Sequence, residues 1–224
     1  MKDLPPLPWP ASIAATRDVD LGRVPHPGAS PVVASLGADP VAQFTAACEL
    51  VGGQVHHLTT PAEIAAFVAG LCEPPLEPRV MSWAAEHLPV PGILDALAAA
   101  GLEHMADTVR ADVDGRADDL ARLDAVSVGI TGALAVLADT GSIVVTSGAG
   151  RPRLASLLPP IHVALVTRAQ IVPSLGTWLA AHPQLPASVA NCVVITGPSR
   201  TADIEMTLTR GVHGPRAVHI VFTG

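Results

Sequence analysis

The sequence predicts an α/β domain with a mostly parallel sheet flanked by helices. Three observations carry that expectation. Short β-prone runs such as "AVSVGIT", "IHVALVT" and "AVHIVF" recur along the chain. Helix-length segments with helical apolar spacing stand between them, and such alternation builds a largely parallel sheet. Apolar residues make up 49 % and charged residues 15 %, which provides a buried core and argues against wholesale disorder. Right-handed crossovers would then put helices on both faces.

The elements follow in order. Residues 1–38 are rich in proline, from Pro5 to Pro31, and predict an extended or partly disordered segment preceding a domain at 39–224. "DPVAQFTAACELVGG" reads as a helix, with Asp39 as cap and a Gly-Gly stop. "QVHHLT" is a short strand. "TPAEIAAFVAGL" opens with Thr60 and Pro61, a good N-cap and N1 pair. "RVMSW" is a strand, "PGILDALAAAGL" a helix, "DDLARL" a short helix and "AVSVGIT" a buried strand. "GALAVLADTGSIVVTSG" reads as a turn with one or two strands, "RPRLASLLP" as a helical turn and "IHVALVT" as a strand. "VPSLGTWLAAHP" (helix), "NCVVITG" (strand), "SRTADIEMTLTRG" (helix) and "AVHIVF" (strand) complete the chain.

Composition removes several function classes. No apolar stretch reaches the roughly 18 residues of a membrane span. "MKDLPPLPWPAS" lacks the apolar core of a signal peptide, so a cytoplasmic protein is expected. Cys48, Cys72 and Cys192 are scattered, which suits neither a disulfide framework nor an iron–sulfur cluster, and all three are expected to be core thiols. Lys2 is the only lysine, so a Walker lysine is excluded. Residues 1–123 carry seven basic side chains against 16 acids, whereas 124–224 carry six arginines against four acids. The net charge of −7 disfavours nucleic acid, but the arginine-bearing half suits a small anion.

In open α/β sheets ligands bind outside the carboxyl ends of strands. Three segments are assigned to such ends: Gly129-Ile130-Thr131-Gly132, Ala138-Asp139-Thr140-Gly141-Ser142, and Gly197-Pro198-Ser199-Arg200-Thr201. The third carries the most chemistry. Ser199 would cap the following helix, whose free N–H groups and dipole suit an anion, and Arg200 would add a bidentate grip. Asp203 and Glu205 follow, where carboxylates also stabilise a helix start by the dipole alone. His213, before Gly214-Pro215, is either a favourably placed charge at the helix end or a pocket acid or base. His162 reads as a core histidine. His56 and His57 would point to opposite faces of a strand, which argues against a joint metal site.

"GITGALAVLADTGSIVV", "RLASLLPPIHVALV", "ITGPSRTADIE" and "GVHGP", in that order, resemble the LUD domain of the lactate-utilization protein C family (LutC, or YkgG). The resemblance implies a NagB/RpiA/CoA-transferase-like α/β fold. It implies two iron–sulfur partner proteins, which would hold the clusters that this chain lacks, and a joint role in oxidising L-lactate to pyruvate. By the same resemblance Thr131, Asp139, Thr140, Gly141, His162, Gly197, Pro198, Ser199, Arg200, Thr201, Asp203, Glu205, His213 and Gly214 become candidate pocket residues.

The expected function is therefore a subunit of a lactate-oxidising system. It would bind a small organic-acid or phosphate-like anion at 197–205, with Asp203 or His213 handling protons. Two alternatives stay open. One is a transferase or ligase using CoA or nucleotide phosphate, with Glu205 as its nucleophile; the other is a non-catalytic scaffold.

Overall fold

The computed structural model describes residues 35–72, 74, 76–105, 112–185, 189, 191–202, 208–210 and 213–224. The proline-rich segment up to residue 34, Asp203 and Glu205 lie outside the described residues.

Local sequence accounts for the helix starts. Helix α1 (Pro40–Leu50) begins where the Asp39 carboxylate accepts the Val41 and Ala42 N–H groups. Helix α2 (Pro61–Leu71) has a full capping box, Thr60 accepting from the Glu63 N–H and Glu63 reaching back to the Thr60 N–H. Helices α3 (Ile93–Ala99), α4 (Val113–Asp124) and α5 (Leu175–Ala181) follow the expected order. The 3₁₀ turn at Arg153–Ser156 matches the helical turn expected there.

The main sheet has six strands in the order β1-β12-β7-β4-β2-β3, and every neighbouring pair is parallel. They are β1 (Gln54–His57), β2 (Arg79–Ser82), β3 (Glu103–His104), β4 (Val128–Thr131), β7 (Ile161–Val166) and β12 (Ala217–Phe222). Strands β4 and β7 are buried at every residue, as continuous apolar runs in a parallel sheet should be. Phe44 of α1 meets Phe222 edge-on at 5.7 Å, and Phe67 of α2 meets His219 at 5.5 Å. Residues 219 and 222 point to opposite faces of β12, so α1 and α2 cover opposite faces. Gly129 is where the 3₁₀ turn presses on β4: a Cβ there would overlap the Ala155 carbonyl oxygen.

A second sheet, in the order β8-β5-β6-β9, went unforeseen. Strands β5 (Ala135–Leu137) and β6 (Ser142–Ser147) form an antiparallel hairpin around the Asp139–Gly141 turn. So short a turn cannot make the crossover that a parallel neighbour needs, so the chain leaves the main sheet here. Strand β8 (Ile171–Val172) runs parallel to β5, and β9 (Asn191–Ile195) runs antiparallel to β6. Ala135, Leu137, Val144 and Trp178 form a small core of their own on this sheet.

Four expectations change. Where a helix is expected from Ser199, the described residues form two strands, β10 (Arg200–Ala202) antiparallel to β11 (Leu208–Arg210), with Thr201 opposite Thr209 in register. Its threonines favour extended backbone, and the Ser199 N–H is spent on the Pro215 carbonyl oxygen rather than on a helix start. Gly129, Ile130 and Thr131 belong to β4 itself, and the loop begins only at Gly132. Residues 197–200 follow β9, which pairs antiparallel with β6, so the rule about carboxyl ends of parallel strands does not apply to them. Cys48 is buried and Cys72 half-buried, but Cys192 is exposed, because alternate residues of β9 face outward.

Candidate anion-binding cleft

Strand β9 leaves the second sheet at Ile195 and turns at Gly197, whose φ is +74°. A Cβ at Gly197 would come within 2.5 Å of the Val51 carbonyl oxygen, so this turn can sit on the end of α1 only as glycine. The Ser199 N–H then donates to the Pro215 carbonyl oxygen at 2.8 Å, tying the turn to the segment that feeds β12. The next residues are seated in turn, since the Arg216 N–H donates to the Pro160 carbonyl oxygen at 2.8 Å. The two segments thus meet at the amino ends of β7 and β12, the opposite edge from the one the strand-end rule selects.

Between them opens a cleft of about 670 Å³. Arg153 and Ser156 line it from the 3₁₀ turn, Ser199 and Arg200 from the β9 exit, His213 from the approach to β12, and Val218 from β12 itself. Among the described lining residues there are two arginines and no carboxylate, so the described lining carries net positive charge. His213 is exposed and also borders a smaller hollow of about 320 Å³ that contains Asp124.

Arg200 has a structural task that the sequence did not suggest. Its Nη2 donates to the Val51 carbonyl oxygen at 2.7 Å, just past the last turn of α1. A guanidinium there satisfies an orphan carbonyl and opposes the negative end of the helix dipole. Gly52 leaves room for it, since a Cβ at that position would overlap Nη2. The Val51 bond accounts for one of the five guanidinium N–H donors.

The other candidate residues divide clearly. Gly197, Pro198, Ser199, Arg200, His213 and Gly214 come together in the cleft. Thr201 lies next in β10, and Asp203 and Glu205 fall outside the described residues. Thr131 is buried in β4, with its hydroxyl 2.9 Å from His162 Nε2. Asp139 and Thr140 are exposed on the β5–β6 turn, and Gly141 packs on the α1 backbone at Ala47 and Cys48. Neither this turn nor Thr131 lines the cleft. Arg153 and Ser156 also line it and are not among the sequence-derived candidates, although both fall within the family-like block "RLASLLPPIHVALV".

A second polar group lies inside the fold. His56 Nε2 is 3.1 Å from His219 Nδ1, across the β1–β12 pair. His162 is wholly buried, and its Nδ1 has no hydrogen-bond partner among the described residues. Burial, and then the charge of His219, push the His162 pKa down to about 4. Burial, and then the charge of His56, push His219 down to about 4 as well. Burial, then the charge of His57, also lowers His56. Sequence spacing could not find this set, because β1 and β12 become neighbours only through topology. Among the described residues no group of three or more His, Cys, Asp or Glu is placed to hold a metal ion. None of the described helices is long and apolar enough to cross a membrane.

Comparison with known proteins adds the family. The LUD domain family matches residues 41–223. A lactate utilization protein C from Geobacillus sp. (strain WCH70) is 44 % identical over 103 residues, covering 43 % of this chain and 42 % of that one. The protein of the same name from Bacillus subtilis (strain 168) is 36 % identical over 115 residues, covering 49 % and 48 %. The chain thus spans less than half the length of these curated relatives. A DUF162 family protein from Deinococcus radiodurans has a crystal structure that superposes with a TM-score of 0.57 at 21 % identity. It covers 83 % of this chain and 96 % of its own, a likeness of fold.

Proposed function

We propose, since this chain belongs to the LUD-domain family, that it serves a lactate-utilization system by binding a small 2-hydroxy or 2-oxo acid in the cleft. One observation carries the reading. Three of the four family-like sequence blocks, 153–166, 195–205 and 211–215, send residues into this one cavity. Arg153 and Arg200 supply charge for the carboxylate, and Ser156 and Ser199 supply hydroxyl donors. His213 is the described side chain suited to exchanging the hydroxyl proton of the acid. In the proposed division of labour, oxidation of lactate to pyruvate releases two electrons to two iron–sulfur partner proteins. The scattered Cys48, Cys72 and Cys192 favour placing the clusters outside this chain.

A scaffold role is the second reading, favoured by the Arg200–Val51 bond, which gives Arg200 a purely structural reason to exist. The two separate in one experiment. The full chain is co-purified with its neighbouring gene products, and lactate-dependent dye reduction is measured for wild type, Arg153→Ala and Arg200→Ala. The cleft reading expects both variants to lose at least about tenfold in kcat/KM, about 1.4 kcal/mol of transition-state binding. Wild-type rates in both folded variants would leave the scaffold.

A further inference from the structure

We infer that this cleft also accepts 2-hydroxy acids with an apolar tail longer than the methyl group of lactate, and binds them more tightly than lactate. The inference rests on the anion reading above and adds the shape of the ligand. The open cleft of about 670 Å³ offers far more space than a three-carbon acid fills. The remaining wall is apolar: Val51, Val193, Ile195 and Val218 face the same space as the cationic groups.

The mouth is apolar too. Leu50 is 86 % exposed and Leu157 41 %, and both line this cleft. Scattered exposed leucines need no explanation, but large apolar side chains gathered at one opening with cations beside them mark a ligand groove. A bare anion would leave these side chains in water. A 2-hydroxy acid with a longer alkyl chain pairs its carboxylate with Arg153 or Arg200 and removes apolar surface from water on both molecules.

The test is calorimetric titration of the full chain with L-lactate, 2-hydroxybutyrate and 2-hydroxyhexanoate, for wild type and Leu157→Ser. Full burial tightens binding about fourfold per methylene, and partial burial about twofold. The expected gain from lactate to 2-hydroxyhexanoate is therefore about tenfold or more, and Leu157→Ser should shrink that ratio. Comparing two ligands on one preparation cancels any loss of folded protein. Equal affinities for lactate and 2-hydroxyhexanoate would overturn the tail while leaving the anion reading standing. An unchanged ratio in Leu157→Ser would also overturn it, by placing the tail elsewhere. If none of the acids binds, the anion reading fails and this inference fails with it.

Discussion

Acid is expected to destabilise this domain through His162 before its carboxylates are protonated. The folded pKa of His162 lies at about 4, and an unfolded histidine titrates near 6.5. The sign follows from proton counting. Below about pH 6.5 the unfolded chain binds a proton that the folded chain refuses, so stability falls as pH falls. The loss runs at about 1.4 kcal/mol per pH unit and stops below about pH 4, where both states are charged. Between pH 7.5 and 5 it amounts to about 2 kcal/mol for His162. His219, also held at about 4, adds a loss of the same sign and similar size. Against a typical stability of about 5–15 kcal/mol, about 4 kcal/mol is a large share. Urea unfolding at pH 7.5 and 5.0, for wild type and His162→Gln, reads the effect. Wild type should lose about 2 kcal/mol more across the step than the variant, whatever their stabilities at pH 7.5. Equal losses in the two proteins would refute the assignment of the pH dependence to His162.

Three further outcomes are expected. Gly129→Ala should cost about 3 kcal/mol, because its Cβ meets the backbone carbonyl of Ala155 rather than a movable side chain; a Tm within about 2 °C of wild type would show that the contact is slack. Arg200→Ala should lose about 1 kcal/mol in urea unfolding as the Val51 carbonyl loses its partner, with Arg200→Lys recovering part of it. A thiol reagent at pH 8 should label exposed Cys192 first, while Cys48, buried and with its pKa pushed up to about 11, should react only on unfolding.

What the sequence disclosed depended on how local the cause was. The Asp39 and Thr60 caps, the buried run of β4, the strand β7 and the Gly-Gly end of α1 are decided by neighbouring residues, and these expectations match the structure. The segment from Ser199 to Arg210 was misread because Ser199, Asp203 and Glu205 imitate a helix start. The described residues there form the antiparallel strands β10 and β11 beside the Ser199–Pro215 bond, a partner 16 residues away. The cleft was half legible. Gly197, Ser199, Arg200 and His213 were found as a run near the C-terminus, whereas Arg153 and Leu50 join them only because α1, the 3₁₀ turn and β9 converge. The His56–His219 contact was invisible for the same reason, since its members stand 163 residues apart.

Backbone amide chemical-shift mapping with L-lactate tests the central claim most directly. If the cleft binds the acid, the shifts should concentrate on Gly197, Ser199, Arg200, His213 and Gly214, and Arg153→Ala should weaken the titration. Shifts confined to Gly132 and the Asp139–Gly141 turn, or no shifts at saturating lactate, would contradict the cleft as the binding site.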